Sequence, residues 1–81
     1  MFQWFRDLED DEICWVCTLE QESELYVTKL NSRQDDRNNW VAMVRFGQNI
    51  PIRVKSNNLE LFSSRTEAQN RAEEFFTFHK K

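Results

Sequence analysis

The residues best suited to chemistry in this chain are two cysteines, Cys14 and Cys17, which form a Cys-X-X-Cys motif. Disulfide oxidoreductases and half of a zinc site share this spacing. A redox pair usually opens a helix, where the dipole lowers the thiol pKa, whereas residues 13–19 alternate like a strand. Side chains three positions apart on a strand point to opposite faces, and a zinc site needs a second ligand pair. We therefore predict structural thiols, with a redox pair and a metal half-site as the alternatives.

The rest of the catalytic inventory is small. The single histidine, His79, lies two residues from the end of the sequence, where a general base has little support. The single glycine, Gly47, excludes a glycine-rich phosphate loop, which needs several glycines at fixed spacing. The carboxylate run at residues 9–12 lacks the alternating ligands and central glycine of a calcium loop, so we predict a solvated turn. We expect no enzyme activity, no cofactor and no metal.

Charge is distributed unevenly along the 81 residues. Residues 1–24 hold eight carboxylates against one arginine, a net charge of −7, whereas residues 25–81 hold ten Lys or Arg against six Asp or Glu, a net charge of +4. This asymmetry indicates recognition of a charged partner or self-complementary folding. The overall charge of −3 argues against simple adhesion to DNA or to anionic lipid.

The length and the aromatic content set the size of the core. Eighty-one residues form one domain with a limited core. Seven Phe, three Trp and one Tyr either enlarge that core, at roughly 150–250 Å² of buried surface per ring, or leave an adhesive surface that favours a dimer. No apolar run approaches the roughly 20 residues of a membrane span, and the start lacks the pattern of a secretory signal. We therefore expect a cytoplasmic protein.

Alternating apolar residues predict antiparallel strands between residues 13 and 62. A polar connection at residues 20–24 joins the first two into a hairpin, and the turn around Gly47 joins the next two. Residues 31–39 contain no apolar residue and predict a loop, while Pro51 predicts a strand start or a sheet edge. The predicted strands cover residues 13–19, 25–30, 40–46 and 50–55, with a short further strand at 59–62.

The most regular element is a C-terminal helix, predicted from residue 65 to residue 79. Ser64 and Glu67 have the spacing of a capping box, and an apolar stripe follows at helical spacing. We predict an α+β fold in which an antiparallel sheet of about four strands carries this helix on one face. The aromatic pair in the stripe is assigned to the core, where each ring contributes roughly 1.5–3 kcal/mol. The stripe consists of Ala68, Ala72, Phe75, Phe76 and His79.

The first twelve residues form an aromatic and acidic arm ahead of the strands at 13–62 and the helix at 64–79. Phe2, Trp4 and Phe5 lie in this arm together with Leu8, at spacings that fit either a short helix or an extended segment. The arm either packs back over the sheet or docks on a partner, and both hold if it crosses to a second subunit. Because Trp is enriched at binding hot spots, Trp4 is the first candidate contact residue.

The sheet face turned away from the helix is the second candidate surface. Alternation places apolar side chains beside cations there, and such a face is either simply solvated or suited to an acidic protein or a second copy. We predict a small, non-catalytic binding or regulatory protein that acts through protein–protein contacts as a homodimer. The candidate contact residues of the arm and the face are Phe2, Trp4, Phe5, Met43, Arg45, Arg53 and Lys55.

Two further hypotheses involve nucleic acid. In the first, Arg45, Arg53 and Lys55 bind phosphates on the sheet face, as in other sheet-based nucleic-acid-binding modules. Tyr26 is the only aromatic residue expected on that face, and the acidic first third of the chain opposes phosphates. In the second, residues 7–24 mimic nucleic acid and block a DNA-binding protein, although the net charge of −3 is small for a mimic.

Overall fold

The structure is a computed structural model that describes residues 2–7, 14–29, 40–55 and 61–79. The described residues form one antiparallel sheet and one helix, which confirms the predicted α+β class. Neighbouring strands in the sheet are also consecutive in the sequence. Every pairing is antiparallel. The elements are β1 (Phe5–Asp7), β2 (Cys14–Thr18), β3 (Glu24–Lys29), β4 (Trp40–Arg45), β5 (Ile52–Arg53) and α1 (Arg65–His79).

The sheet has five strands rather than about four. The additional strand, β1, belongs to the N-terminal arm and pairs with β2, with Phe5 opposite Val16. At the other edge, β5 holds two residues instead of the predicted six, and Ile50 is 85 % exposed. Pro51 has no N–H to donate to a ladder, so the strand starts directly after it, as predicted.

Three other predicted features fall wholly or partly outside the described residues. The carboxylate run at 9–12 and the loop at 31–39 are both outside them. The short strand predicted at 59–62 is described from residue 61 onward. There, Phe62 forms an isolated bridge with Trp40 through two backbone hydrogen bonds, with N···O distances of 2.8 and 3.2 Å.

The core lies between the sheet and α1. Strand alternation turns Leu25, Val27, Ala42 and Val44 to the same face, where all four are fully buried. The helix packs across β3 and β4, and Ala68 and Ala72 are small enough to let its backbone approach closely. On the predicted stripe, Phe76 is 9 % exposed and Phe75 is partly buried against the core. The assignment of these rings to the core is confirmed.

Helix α1 begins with the predicted capping interaction. The Glu67 N–H donates to Ser64 Oγ at 3.1 Å, and the carbonyl of Ser64 accepts from the Ala68 N–H at 3.1 Å. The Glu67 carboxylate accepts from the Ser63 N–H at 3.0 Å and the Ser63 hydroxyl at 3.1 Å, one residue earlier than in a full capping box. These bonds satisfy donors that a helix N-terminus otherwise leaves unpaired.

The β2–β3 hairpin closes through a turn with left-handed backbone. Gln21 and Glu22 have φ of 58° and 64°, and the Ser23 N–H donates to the Glu20 carbonyl at 3.2 Å. Positive φ at both central residues characterises a type I′ turn, whose twist matches that of paired strands. The Gly47 N–H donates to Ser23 Oγ at 2.9 Å, which ties this turn to the β4–β5 turn.

Within the described residues, α1 is the one α-helix, and no helix there is long and apolar enough to cross a membrane.

Candidate binding surfaces

Two aromatic residues of the arm, Phe2 and Trp4, lie against the helix. The Trp4 indole Nε1 donates to Glu73 Oε2 at 2.7 Å. The Phe2 ring meets Phe76 edge to face, with centroids 6.4 Å apart and an interplanar angle of 89°. Both residues are partly buried against the core. At these two positions the arm therefore packs back on its own chain, and the side chains are engaged in the fold.

The third arm residue, Phe5, lies on the opposite face of the sheet. Its side chain is 63 % exposed, and its position opposite Val16 in the β1–β2 ladder places it on the side away from α1. Alternation along the extended arm therefore divides its rings: Phe2 and Trp4 contact the helix, and Phe5 faces solvent.

Phe5 begins a row of side chains that crosses all five strands. Each residue is the direct cross-strand partner of the next, so their Cβ atoms lie about 4.5–5.5 Å apart. The two ends of the row are exposed and the three middle residues are partly buried. We call this set the open-face row, and it consists of Phe5, Val16, Tyr26, Met43 and Arg53.

Beside the open-face row, Glu24 forms a hydrogen-bonded group with two neighbours. Glu24 Oε1 accepts from Arg45 Nη2 at 2.7 Å and from the Tyr26 hydroxyl at 2.5 Å. Arg45 lies directly opposite Glu24 in the ladder and also donates to the Gly47 carbonyl. Since both of its strongest partners stabilise the carboxylate, first Tyr26 and then Arg45, the pKa of Glu24 is lowered. The same bond to Glu24, aided by burial, raises the pKa of Tyr26.

The open face is consequently less basic than the sequence pattern indicated. The charge of Arg45 is matched by Glu24 at 2.7 Å. Lys55 lies two residues beyond β5, after Val54, whose N–H donates to the Ala42 carbonyl at 2.9 Å, and it lines a groove beside α1. Of the three predicted cationic contacts, Arg53 is the one that both lies on the open face and is exposed. Met43 lies between Tyr26 and Arg53, as predicted for this face.

One end of the open face is closed. Val41 belongs to the row next to the open-face row on the side away from Arg45, where it pairs with Thr28, and it is only 4 % exposed. The face is therefore covered at Val41, whereas Cys14 and Thr28 in the same row are partly exposed.

The two cysteines lie on opposite faces of β2 and form no disulfide. Cys17 is fully buried in the core, where burial raises the pKa of its thiol, so the reactive thiolate is disfavoured. Cys14 is on the other side of the strand, opposite Thr28. A bond between them would require the strand to break, which favours the interpretation of both as structural thiols.

The remaining groups that the sequence offered for chemistry are dispersed. The His79 ring is exposed and packs on Phe75 with centroids 4.3 Å apart, so it extends the helix stripe. Across residues 2–7, 14–29, 40–55 and 61–79, no three His, Cys, Asp or Glu side chains come together as a metal site would require. The acidic run at 9–12 is outside these ranges.

A groove between β5 and α1 is a surface that the sequence reasoning missed. Its most prominent residue, Phe78, is 83 % exposed and lies outside the predicted apolar stripe. An aromatic residue on the polar side of an amphipathic helix is the signal that identifies it.

Comparisons with protein-family models, with curated proteins and with solved structures found no match to this chain.

Proposed function

We propose that this chain is a small, non-catalytic regulatory protein that acts through protein–protein contact, and that a second copy covers its open face. The observation that carries the proposal is the open-face row, an aromatic, aliphatic and methionine surface that α1 leaves uncovered. Aromatic residues, methionine and arginine are the types enriched in protein interfaces. The proposal includes the cytoplasm as the compartment, as expected from the sequence.

The order of residues along the row supports a two-fold arrangement. A C2 axis that lies in the interface above Tyr26, parallel to β3, turns the second copy face down and reverses the direction of its row. Phe5 of one copy then lies over Arg53 of the other, and Val16 lies over Met43. An arginine over an aromatic ring is attractive, and a self-complementary patch of this kind is what an isologous interface requires.

The dimensions of the face are consistent with a weak dimer. The five strands hold 3, 5, 6, 6 and 2 residues, and at about 3.3 Å per residue and about 4.8 Å between strands they span roughly 350 Å² in projection. A specific interface needs about 600 Å² of accessible surface per copy, and the side chains raise the accessible area above the projection. That requirement is roughly a tenth of the 6045 Å² surface of the chain. We therefore expect dissociation in the micromolar range.

The charge distribution favours a protein over nucleic acid as the occupant. A phosphate-binding face needs several cations that are available to the backbone, yet Glu24 neutralises Arg45 and Lys55 lies beside the helix. The hydroxyl of Tyr26 is bonded to Glu24. For the mimic hypothesis, the described part of residues 7–24 contributes the exposed carboxylates Glu20 and Glu22 at the β2–β3 turn.

Sedimentation equilibrium of the purified chain tests the homodimer. We expect the wild type to dimerise, and Phe5→Ser and Arg53→Glu to be monomeric at the same concentration. Phe78→Ser is the matched control, because it makes the same substitution at an exposed residue that lies outside the open face, and it should leave the dimer intact.

Three outcomes would contradict this function. A wild-type chain that stays monomeric at high micromolar concentration removes the homodimer. Equal weakening by Phe5→Ser and Phe78→Ser, with unchanged circular dichroism, assigns association to another surface. Retention of labelled DNA or RNA in a low-salt gel shift, abolished by Arg53→Glu, would replace the proposal with the nucleic-acid-binding module.

A further inference from the structure

A groove of about 440 Å³ runs between Val54 and Lys55, which directly follow β5, and the C-terminal half of α1. It exists because the helix packs across β3 and β4 and leaves β5 uncovered on that side. Val54, only 2 % exposed, contributes to its lining. Ile52 pairs with the buried Val44 and so shares the helix-facing side of the sheet, yet it is 44 % exposed.

The helix side of the groove is aromatic. Phe75 is partly buried against the core, while Phe78, one turn further along, is 83 % exposed. Both rings line the groove together with Val54. Covering an exposed phenylalanine removes apolar surface from water at about 25 cal/mol per Å². The groove therefore offers a place for a bulky apolar side chain.

Cations lie beside this aromatic wall. Lys55 lines the groove from the sheet side and Arg71 from the helix side. Arg71 Nη1 donates to Glu74 Oε1 at 2.7 Å, while the buried Nε of Arg71 has no hydrogen-bond acceptor. The Arg71 side chain is 40 % exposed and a guanidinium has five N–H donors in a planar fork, so Arg71 has donors beyond the one that Glu74 uses, although its buried Nε is not accessible to a ligand. Because Glu74 matches the charge of Arg71, the exposed Lys55 gives the lining residues of the groove their net positive charge.

We propose that this groove binds an acidic peptide segment of another protein. A bulky apolar side chain of the peptide lies against Phe75 and Phe78, and its flanking carboxylates pair with Lys55 and Arg71. Charge complementarity selects the acidic sequence, and the aromatic wall supplies the apolar contact. The groove lies on the helix side of the sheet, opposite the open face, so this binding does not depend on the proposed homodimer.

Fluorescence anisotropy of a labelled peptide of alternating Glu and Leu residues tests the proposal, with a Lys–Leu peptide of equal length as the matched probe. The wild type should bind the Glu–Leu peptide and not the Lys–Leu peptide. Lys55→Glu and Phe78→Ser should each weaken binding about tenfold. Glu74→Gln should strengthen it about twofold, because it removes the like charge. Arg53→Glu on the open face is the control and should bind as tightly as the wild type.

Each remaining result would overturn the inference. Equal binding of both peptides, or no binding of the Glu–Leu peptide at the highest soluble protein concentration, excludes an acidic partner. Preferential binding of a labelled single-stranded oligonucleotide, lost in Lys55→Glu, makes the groove a phosphate site. A change of oligomeric state in Phe78→Ser makes it a contact between copies. Loss of Glu–Leu binding in Arg53→Glu would also overturn it, because the site would then depend on the open face; retained binding in that monomeric variant separates this site from the proposed dimer.

Discussion

Replacing Glu22 with glycine should relieve backbone strain in the turn that holds the β2–β3 hairpin together. Glu22 has a φ of 64° and Gln21 a φ of 58°, both in the left-handed region that disfavours side chains with a Cβ. Type I′ turns favour Asn and Gly at these two positions, and this chain places Gln and Glu there. Glu20, in the same turn, is not among the residues with positive φ, which makes Glu20→Gly the matched variant.

The difference in the free energy of unfolding between Glu22→Gly and Glu20→Gly isolates the cost of the left-handed conformation. An L-residue there costs about 1–2 kcal/mol, and glycine adds about 0.5–1 kcal/mol of unfolded-state entropy at either position. The entropy cost cancels in the comparison. Glu22→Gly also loses an exposed hydrogen bond from Gln48 Nε2 at 2.9 Å, which reduces its gain. We expect Glu22→Gly to be more stable than Glu20→Gly by about 1 kcal/mol, equivalent to roughly 4–8 °C in Tm for a domain of this size.

Urea unfolding followed by tryptophan fluorescence measures this difference, since the chain has three tryptophans. The m-values should agree, because the surface exposed on unfolding is nearly the same. Equal midpoints for the two variants, or a more stable Glu20→Gly, would show that the turn carries no left-handed strain and would refute the reasoning.

Four other predictions concern Glu24 and its neighbours, the N-terminal arm and the core. The hydrogen bond to Glu24 favours the neutral phenol of Tyr26, the single tyrosine, so Tyr26 should ionise above its ordinary pKa of 10.0. Tyrosinate absorbance should show a lower pKa of Tyr26 in Glu24→Gln. An unchanged pKa would contradict the assignment of the shift to Glu24. The lowered pKa of Glu24 stabilises the fold above pH 4.5, and urea midpoints should show this stability lost as the pH falls through the folded-state pKa, with a smaller loss in Glu24→Gln. Trp4→Phe leaves the Glu73 carboxylate without its indole donor and should lower the free energy of unfolding by about 1–2 kcal/mol in urea. An unchanged free energy of unfolding would show that solvent fully replaces the hydrogen bond between Trp4 and Glu73. Phe62→Ala empties a site that is 1 % exposed and should lower stability by about 3–5 kcal/mol, so a thermal midpoint near that of the wild type would remove Phe62 from the core.

Local signals predicted the helix and the central strands well. Helix α1 spans the predicted residues 65–79 because its capping residues and its apolar stripe are both encoded within a few positions. Alternation likewise predicted which residues of β3 and β4 face the helix, because the period of a strand is fixed by its geometry.

The edges of the sheet were predicted less well, because pairing at an edge depends on one distant neighbour. The i, i+3 spacing of Phe2 and Phe5 fitted a helix, whereas the extended arm separates them onto opposite sides of the sheet. Lys55 was assigned to the open face by extending alternation beyond Arg53, where β5 ends. The pair of Glu24 and Arg45 joins residues 21 positions apart, a register that no local pattern specifies.

The amino-acid order alone determined the class of the fold, the helix bounds and the division of the strands into an apolar and a mixed face, because hydrophobic periodicity and capping act over a few residues. The tertiary structure decided which cations and rings remain accessible. It tied Arg45 to Glu24, directed Trp4 towards Glu73 and left Phe5 and Phe78 exposed. Those outcomes follow from strand register and from where the helix crosses the sheet, and both are properties of the assembled chain.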